Sequence, residues 1–124
     1  MALTVFIVED DPVALDSLVE LLTTLDGVEV VGTAKSEMAA ADWEVDRARP
    51  WDLLITDLLL VPGGSGFGLI RHARSLGAFR RVAVFSNFAL PAIAESCLKL
   101  GADAVFLKSQ LDELLQYVRS LRQP

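Results

Sequence analysis

Five short runs of β-forming apolar residues punctuate the chain: TVFIV (4 to 8), VEVVGTA (28 to 34), LLIT (53 to 56), VAVF (82 to 85) and AVFL (104 to 107). Each is followed by a longer segment that reads as helix. After the first run, Val13, Leu15, Leu18, Val19, Leu21 and Leu22 fall on one side and leave Asp16, Ser17 and Glu20 to water. Asp11 and Pro12 suit the N-cap and first position of that helix. Further helices are expected over 37 to 48, 67 to 76, 91 to 100 and 111 to 121, with Gly77 and Gly101 as stops. Ser109 and Asp112 read as a capping box for the last. The weakest helix is the second, where AAADWEVDRARP is helix-prone but carries little apolar periodicity. Strands that alternate with helices need crossover connections. These are right-handed, so the expectation is an α/β fold with a parallel sheet and helices on both faces.

Size and charge narrow the setting. At 124 residues the chain suits one domain spanning 1 to 124, without repeats or an internal linker. Fifty-two per cent of the residues are apolar, which excludes disorder, and no apolar run nears the roughly 20 residues of a membrane span. MALTVF lacks a basic segment and a small-residue cleavage site, and the lone Cys97 can form no internal disulfide. A reducing cytoplasm is the expected setting. A net charge of −6 argues against direct nucleic-acid binding, which draws on clustered Lys and Arg.

The first strand runs straight into Glu9, Asp10 and Asp11. In an open parallel sheet the residues just past the strand ends collect at one edge, where such folds hold ligands. Asp57 follows the third strand, Ser86 and Asn87 the fourth, Lys108 and Ser109 the fifth. Carboxylates forced together raise one another's pKa unless a cation sits among them, and hard oxygen ligands suit Mg²⁺. Lys108 and Ser86 complement a phosphoryl group, whose transfer needs mainly positioning and charge neutralisation. Asp11 reads as a helix cap rather than a ligand.

An acidic pair after the first strand, an aspartate after the third, a hydroxyl after the fourth and a lysine after the fifth resemble the receiver domain of two-component response regulators, over nearly the whole chain. The resemblance implies a flavodoxin-like (βα)5 fold with strand order 2-1-3-4-5. It implies that Asp57 accepts a phosphoryl group from a sensor histidine kinase or histidine phosphotransfer protein, with Mg²⁺ held by Glu9, Asp10, Asp57 and the Leu59 backbone carbonyl. Ser86 and Lys108 would contact the phosphoryl oxygens, and Ser86 and Phe106 would form the switch. The face of fourth helix, fifth strand and fifth helix would then meet an unknown downstream protein or a second copy of the chain. No catalysis is implied beyond the domain's own phosphorylation and slow dephosphorylation.

Three features depart from the family pattern. Pro62 lies five residues after Asp57 where four is usual, Asn87 replaces a small residue, and Ser109 replaces a proline. The inserted residue and Asn87 support the alternative of a receiver-like interaction module that needs no phosphate. Leu59 and Phe88 occupy positions that in the family line the path of the hydrolytic water, and two large apolar groups there imply slow dephosphorylation. Enzymes of related architecture fit less well. A haloacid-dehalogenase-like hydrolase wants an aspartate where Leu59 stands, and a flavodoxin wants a hydroxyl-rich loop where this chain has carboxylates. PGGSGFG lacks the GK[ST] of a phosphate loop and reads as a turn. Cys97 reads as a buried small hydrophobe, and His72 as part of a solvated face beside Arg71 and Arg74.

Overall fold

A computed structural model describes residues 2–46, 51–60, 64–77 and 80–121. The elements alternate strictly: β1 (Leu3–Val8), α1 (Pro12–Thr23), β2 (Val28–Ala34), α2 (Glu37–Asp46), β3 (Leu53–Thr56), α3 (Gly66–Leu76), β4 (Arg81–Phe85), α4 (Pro91–Leu100), β5 (Ala104–Phe106) and α5 (Leu111–Leu121). The five strands form one sheet in the order 2-1-3-4-5. Every pairing is parallel. The alternation predicted the parallel sheet, and the order is the flavodoxin-like one that the family resemblance implied.

The central strands β1, β3 and β4 are buried on both sides, so their successive residues feed two cores. Val5, Ile7, Leu53, Ile55 and Ala83 pack with Leu15, Leu18 and Leu22 of α1 and with Leu114 and Val118 of α5. Phe6, Val8, Leu54, Val82 and Val84 point the other way, onto Ala40 of α2, Leu69, Ile70 and Ala73 of α3 and Cys97 of α4. No helix among the described residues is long and apolar enough to cross a membrane.

The helix ends follow local chemistry. The Asp11 carboxylate accepts from the Val13 amide at 3.1 Å and Pro12 opens α1. Gly101 closes α4 in the left-handed conformation, with φ 117°. The start of α5 differs from the expected capping box. Ser109 lies inside a 3-10 turn, Lys108–Gln110, and it is the Gln110 side chain that accepts from the Leu107 amide at 2.8 Å.

The weakly patterned α2 docks by one aromatic anchor. Trp43 stacks on Phe6 with ring centroids 4.3 Å apart. The β1–β2 register shifts by one residue after Val5, which sets Gly32 opposite Phe6. A Cβ on Gly32 would lie 2.4 Å from the Trp43 ring, so the strand is bare where the indole crosses it.

Candidate functional site

Backbone hydrogen bonds carry the sheet one residue past three strand ends. The Glu9 amide donates to Ala34 at 3.0 Å, the Asp57 amide to Val8 at 3.1 Å, and the Ser86 amide to Phe106 at 3.0 Å. These three residues are thus placed by the sheet itself and only their side chains remain to be oriented. Glu9, Asp57 and Ser86 are buried, and Asp10 is half-buried.

Glu9, Asp10 and Asp57 each offer a carboxylate oxygen within 4.8 Å of the others. The Lys108 ammonium enters from the end of β5 and contacts Glu9 Oε1 at 2.5 Å and Asp57 Oδ2 at 3.0 Å. The remaining oxygens are also held. Asp57 Oδ1 accepts from the Leu58 amide at 2.6 Å, and Glu9 Oε2 from the Asp11 amide at 3.1 Å. Asp11 itself is exposed and spends its carboxylate on the cap, as its position implied.

Burial raises the Glu9 pKa above the ordinary carboxylate value. Lys108 and the Asp11 amide oppose that shift, and the Asp57 charge adds to it. For Lys108, burial alone would lower the pKa, but Glu9 and Asp57 together hold it above its usual value. Among the described residues, three carboxylates against one ammonium formally leave the pocket two negative charges in excess. A divalent cation on hard oxygen ligands matches both that deficit and the donor set, so the residues fit a Mg²⁺ site. The Leu58 carbonyl accepts from the Gly66 amide at 3.0 Å, which leaves that of Leu59 uninvolved in this contact. Pro62, the residue that suggested an insertion, lies outside the described residues.

Ser86 is brought to the same edge one strand over, where its hydroxyl accepts from the Phe88 amide at 3.1 Å. Phe106 is half-buried against Tyr117 of α5, with ring centroids 5.7 Å apart. Leu59 and Phe88 are each about half exposed, at 48% and 52%. Asn87 is exposed.

Glu37 escaped the sequence reading. From the first turn of α2 its Oε1 accepts from the Ser65 amide at 3.0 Å, at the start of α3, where Ser65 provides no side-chain cap. Gly64 and Gly68 make room for it, since a Cβ at either would lie 2.6 Å or 2.2 Å from its oxygens. The glycine spacing of GGSGFG was the available signal. It marks the approach of a side chain, not of a phosphate.

A doubly wound parallel sheet that gathers acids, a lysine and a hydroxyl at its carboxyl edge defines a class of protein, and comparison places the chain within it. The family model described as "Response regulator receiver domain" matches residues 5–119. The chain belongs to that family. It is 30% identical over 120 residues to the transcriptional regulatory protein DesR of Bacillus subtilis, an alignment covering 96% of this chain and 58% of DesR. The chain therefore spans little more than half the length of that curated relative. Among solved structures it resembles a LuxR-family two-component response regulator from Aurantimonas sp., with a TM-score of 0.84, 25% identity and coverage of 98% of this chain and 86% of the other. It also resembles RcsB of Salmonella enterica serovar Typhimurium bound to a promoter in the presence of the phosphomimetic BeF3⁻. There the TM-score is 0.79 and the identity 25%, covering 97% of this chain and 61% of RcsB.

Proposed function

We propose that the chain is a single receiver domain that takes a phosphoryl group onto Asp57 from a phosphohistidine of a sensor kinase or histidine phosphotransfer protein. The carrying observation is the Lys108 ammonium bridging Glu9 and Asp57 within a pocket of three converging carboxylates. The Leu58 amide fixes the Asp57 carboxylate, so Oδ2 faces Lys108. That oxygen attacks phosphorus as the P–N bond to the donor histidine breaks. The imidazole leaves with the bonding pair and is protonated by solvent. Glu9, Asp10, Asp57 and the Leu59 carbonyl would hold Mg²⁺, which neutralises charge on the transferring group. Lys108 exchanges a carboxylate partner for a phosphoryl oxygen, and Ser86 donates its hydroxyl proton to another.

The phosphorylated state would signal by rearranging the Ser86 and Phe106 region and so the face of α4, β5 and α5, toward a downstream protein or a second copy. The acidic balance favours a protein partner over direct DNA contact, and a cytoplasmic setting suits kinase access. The domain acts on no substrate but itself. RcsB, solved with a phosphomimetic, supports this reading by similarity.

Intact mass after incubation with acetyl phosphate tests it. We expect one phosphoryl adduct that requires Mg²⁺ and is absent from Asp57→Asn. Leu59 and Phe88 offer no group to orient a water, so the adduct should decay slowly. A folded protein that gains no adduct, even from a competent histidine kinase, would instead indicate an interaction module that works without phosphate.

A further inference from the structure

Thr56, the last residue of β3, carries a fully buried hydroxyl. Its partners across the sheet are Val8 on β1 and Val84 on β4, both buried valines. A third β-branched apolar residue would suit that row, so packing asks for the methyl group of Thr56 and not for its oxygen. A buried hydroxyl costs stability unless it is bonded. This one donates to the Asp57 carbonyl oxygen at 2.7 Å.

The Asp57 carbonyl and the Leu58 amide belong to one planar peptide unit, so a bond that fixes the first fixes the direction of the second. That amide holds the nucleophile. It donates to Asp57 Oδ1 at 2.6 Å, and Oδ2 meets Lys108 at 3.0 Å. The start of α3 closes on the same peptide: a Cβ on Gly66 would lie 2.2 Å from the Asp57 carbonyl oxygen, and the Gly66 amide donates to the Leu58 carbonyl at 3.0 Å. A hydroxyl and a bare glycine thus clamp the unit that aims the carboxylate.

We infer that Thr56 is a positioning residue for Asp57: its hydroxyl holds the peptide joining Asp57 and Leu58, so that the Leu58 amide keeps Oδ1 and turns Oδ2 toward the incoming phosphorus. The effect on phosphorylation rests on the receiver reading above; the hold on the peptide does not. In-line attack is sensitive to small misplacements of the reacting oxygen. Without the hydroxyl the peptide can tilt, and the carboxylate spends less time with Oδ2 in line. The loss of one net hydrogen bond sets the scale at about tenfold.

The experiment compares wild type, Thr56→Val and Thr56→Ser in acetyl phosphate and excess Mg²⁺, following the adduct by intact mass. Oδ2 attacks phosphorus as the P–O bond to the acetyl group breaks, and acetate leaves with the bonding pair. Valine keeps the shape, matches Val8 and Val84 and removes the donor; serine keeps the donor and loses a methyl group. Thr56→Val should form the adduct about tenfold more slowly, while Thr56→Ser stays within about threefold of wild type. In the unphosphorylated protein, hydrogen exchange of the Leu58 amide should quicken about tenfold in Thr56→Val, beyond any change in the amides of β1, and far less in Thr56→Ser. A wild-type rate in Thr56→Val, or an equal loss in Thr56→Ser, would overturn the assignment. If wild type itself gains no phosphoryl group, the receiver reading fails and exchange alone decides: equal Leu58 rates in wild type and Thr56→Val would then overturn the positioning role.

Discussion

The two faces of the sheet are covered by different means. On one, α1 and α5 present regular stripes: Leu15, Leu18 and Leu22, then Leu114 and Val118, all buried. On the other, α3 again buries Leu69, Ile70 and Ala73, but α2 buries Ala40 and leans on Trp43, whose ring lies flat on Phe6 over a bare Gly32. A stripe spreads docking over several turns, so it leaves no void and no single residue decides it. An anchor concentrates docking in one contact. It leaves a cavity beside it, and it lets the helix move apart from the rest.

Truncation on each face should separate these behaviours. Leu22 is fully buried, so Leu22→Ala should cost about 2 to 5 kcal/mol of global stability in urea unfolding. Amide hydrogen-exchange protection should then fall together in the most protected strands and in α5. Trp43→Ala should remove protection from α2 first, with a smaller global loss of about 1 to 3 kcal/mol, because the sheet and the opposite core stay intact. Equal, uniform losses in the two variants would show that both faces are one cooperative unit and break the comparison.

Gly32 sharpens it further. A Cβ there meets Trp43 Cε2 at 2.4 Å, so Gly32→Ala must displace the indole and should cost about 1 to 3 kcal/mol. Once the indole is gone the same change should be nearly neutral or slightly stabilising, since alanine suits a strand better than glycine. The double-mutant cycle should therefore yield a coupling of about 1 kcal/mol or more. Additive effects would mean that the bulge after Val5, and not the indole, is what demands glycine.

These features also divide what could be read in the sequence. Periodicity reveals strands and striped helices because many residues repeat one message, so the parallel α/β class was legible, and the strand order followed from the resemblance to the receiver family. Glu9, Asp57, Ser86 and Lys108 were legible as a group because strand ends in a parallel sheet must share an edge. Contacts made once, across long separations, were not. Trp43 on Phe6, Glu37 on Ser65 and the Gln110 side chain on Leu107 each depend on where a single side chain arrives. Gly32, Gly64 and Gly68 were visible as glycines, but only the structure tells which side chain each makes room for.

Cys97 offers the smallest effect and the finest discrimination between the faces. It is fully buried on α4, on the same face as α2 but distant from Trp43 in the order of elements. Burial raises its pKa above the ordinary thiol value, so the native thiol is inaccessible and its ionisation is disfavoured. Alkylation must proceed through an opened state whose thiol ionises normally, at a rate set by the population of that state. Below the ordinary thiol pKa of about 8.5 the rate should rise about tenfold per pH unit. The unfolded thiol releases its proton first, so above that value the fold loses stability until the native thiol titrates too. If α2 opens alone, Trp43→Ala should raise the iodoacetamide rate at Cys97 only through its smaller global loss, about fivefold for 1 kcal/mol. A global loss of about 2.7 kcal/mol in Leu22→Ala should raise it on the order of a hundredfold. A comparable acceleration in both variants would show that releasing α2 opens α4 as well, making the anchored face a single unit held shut by one tryptophan.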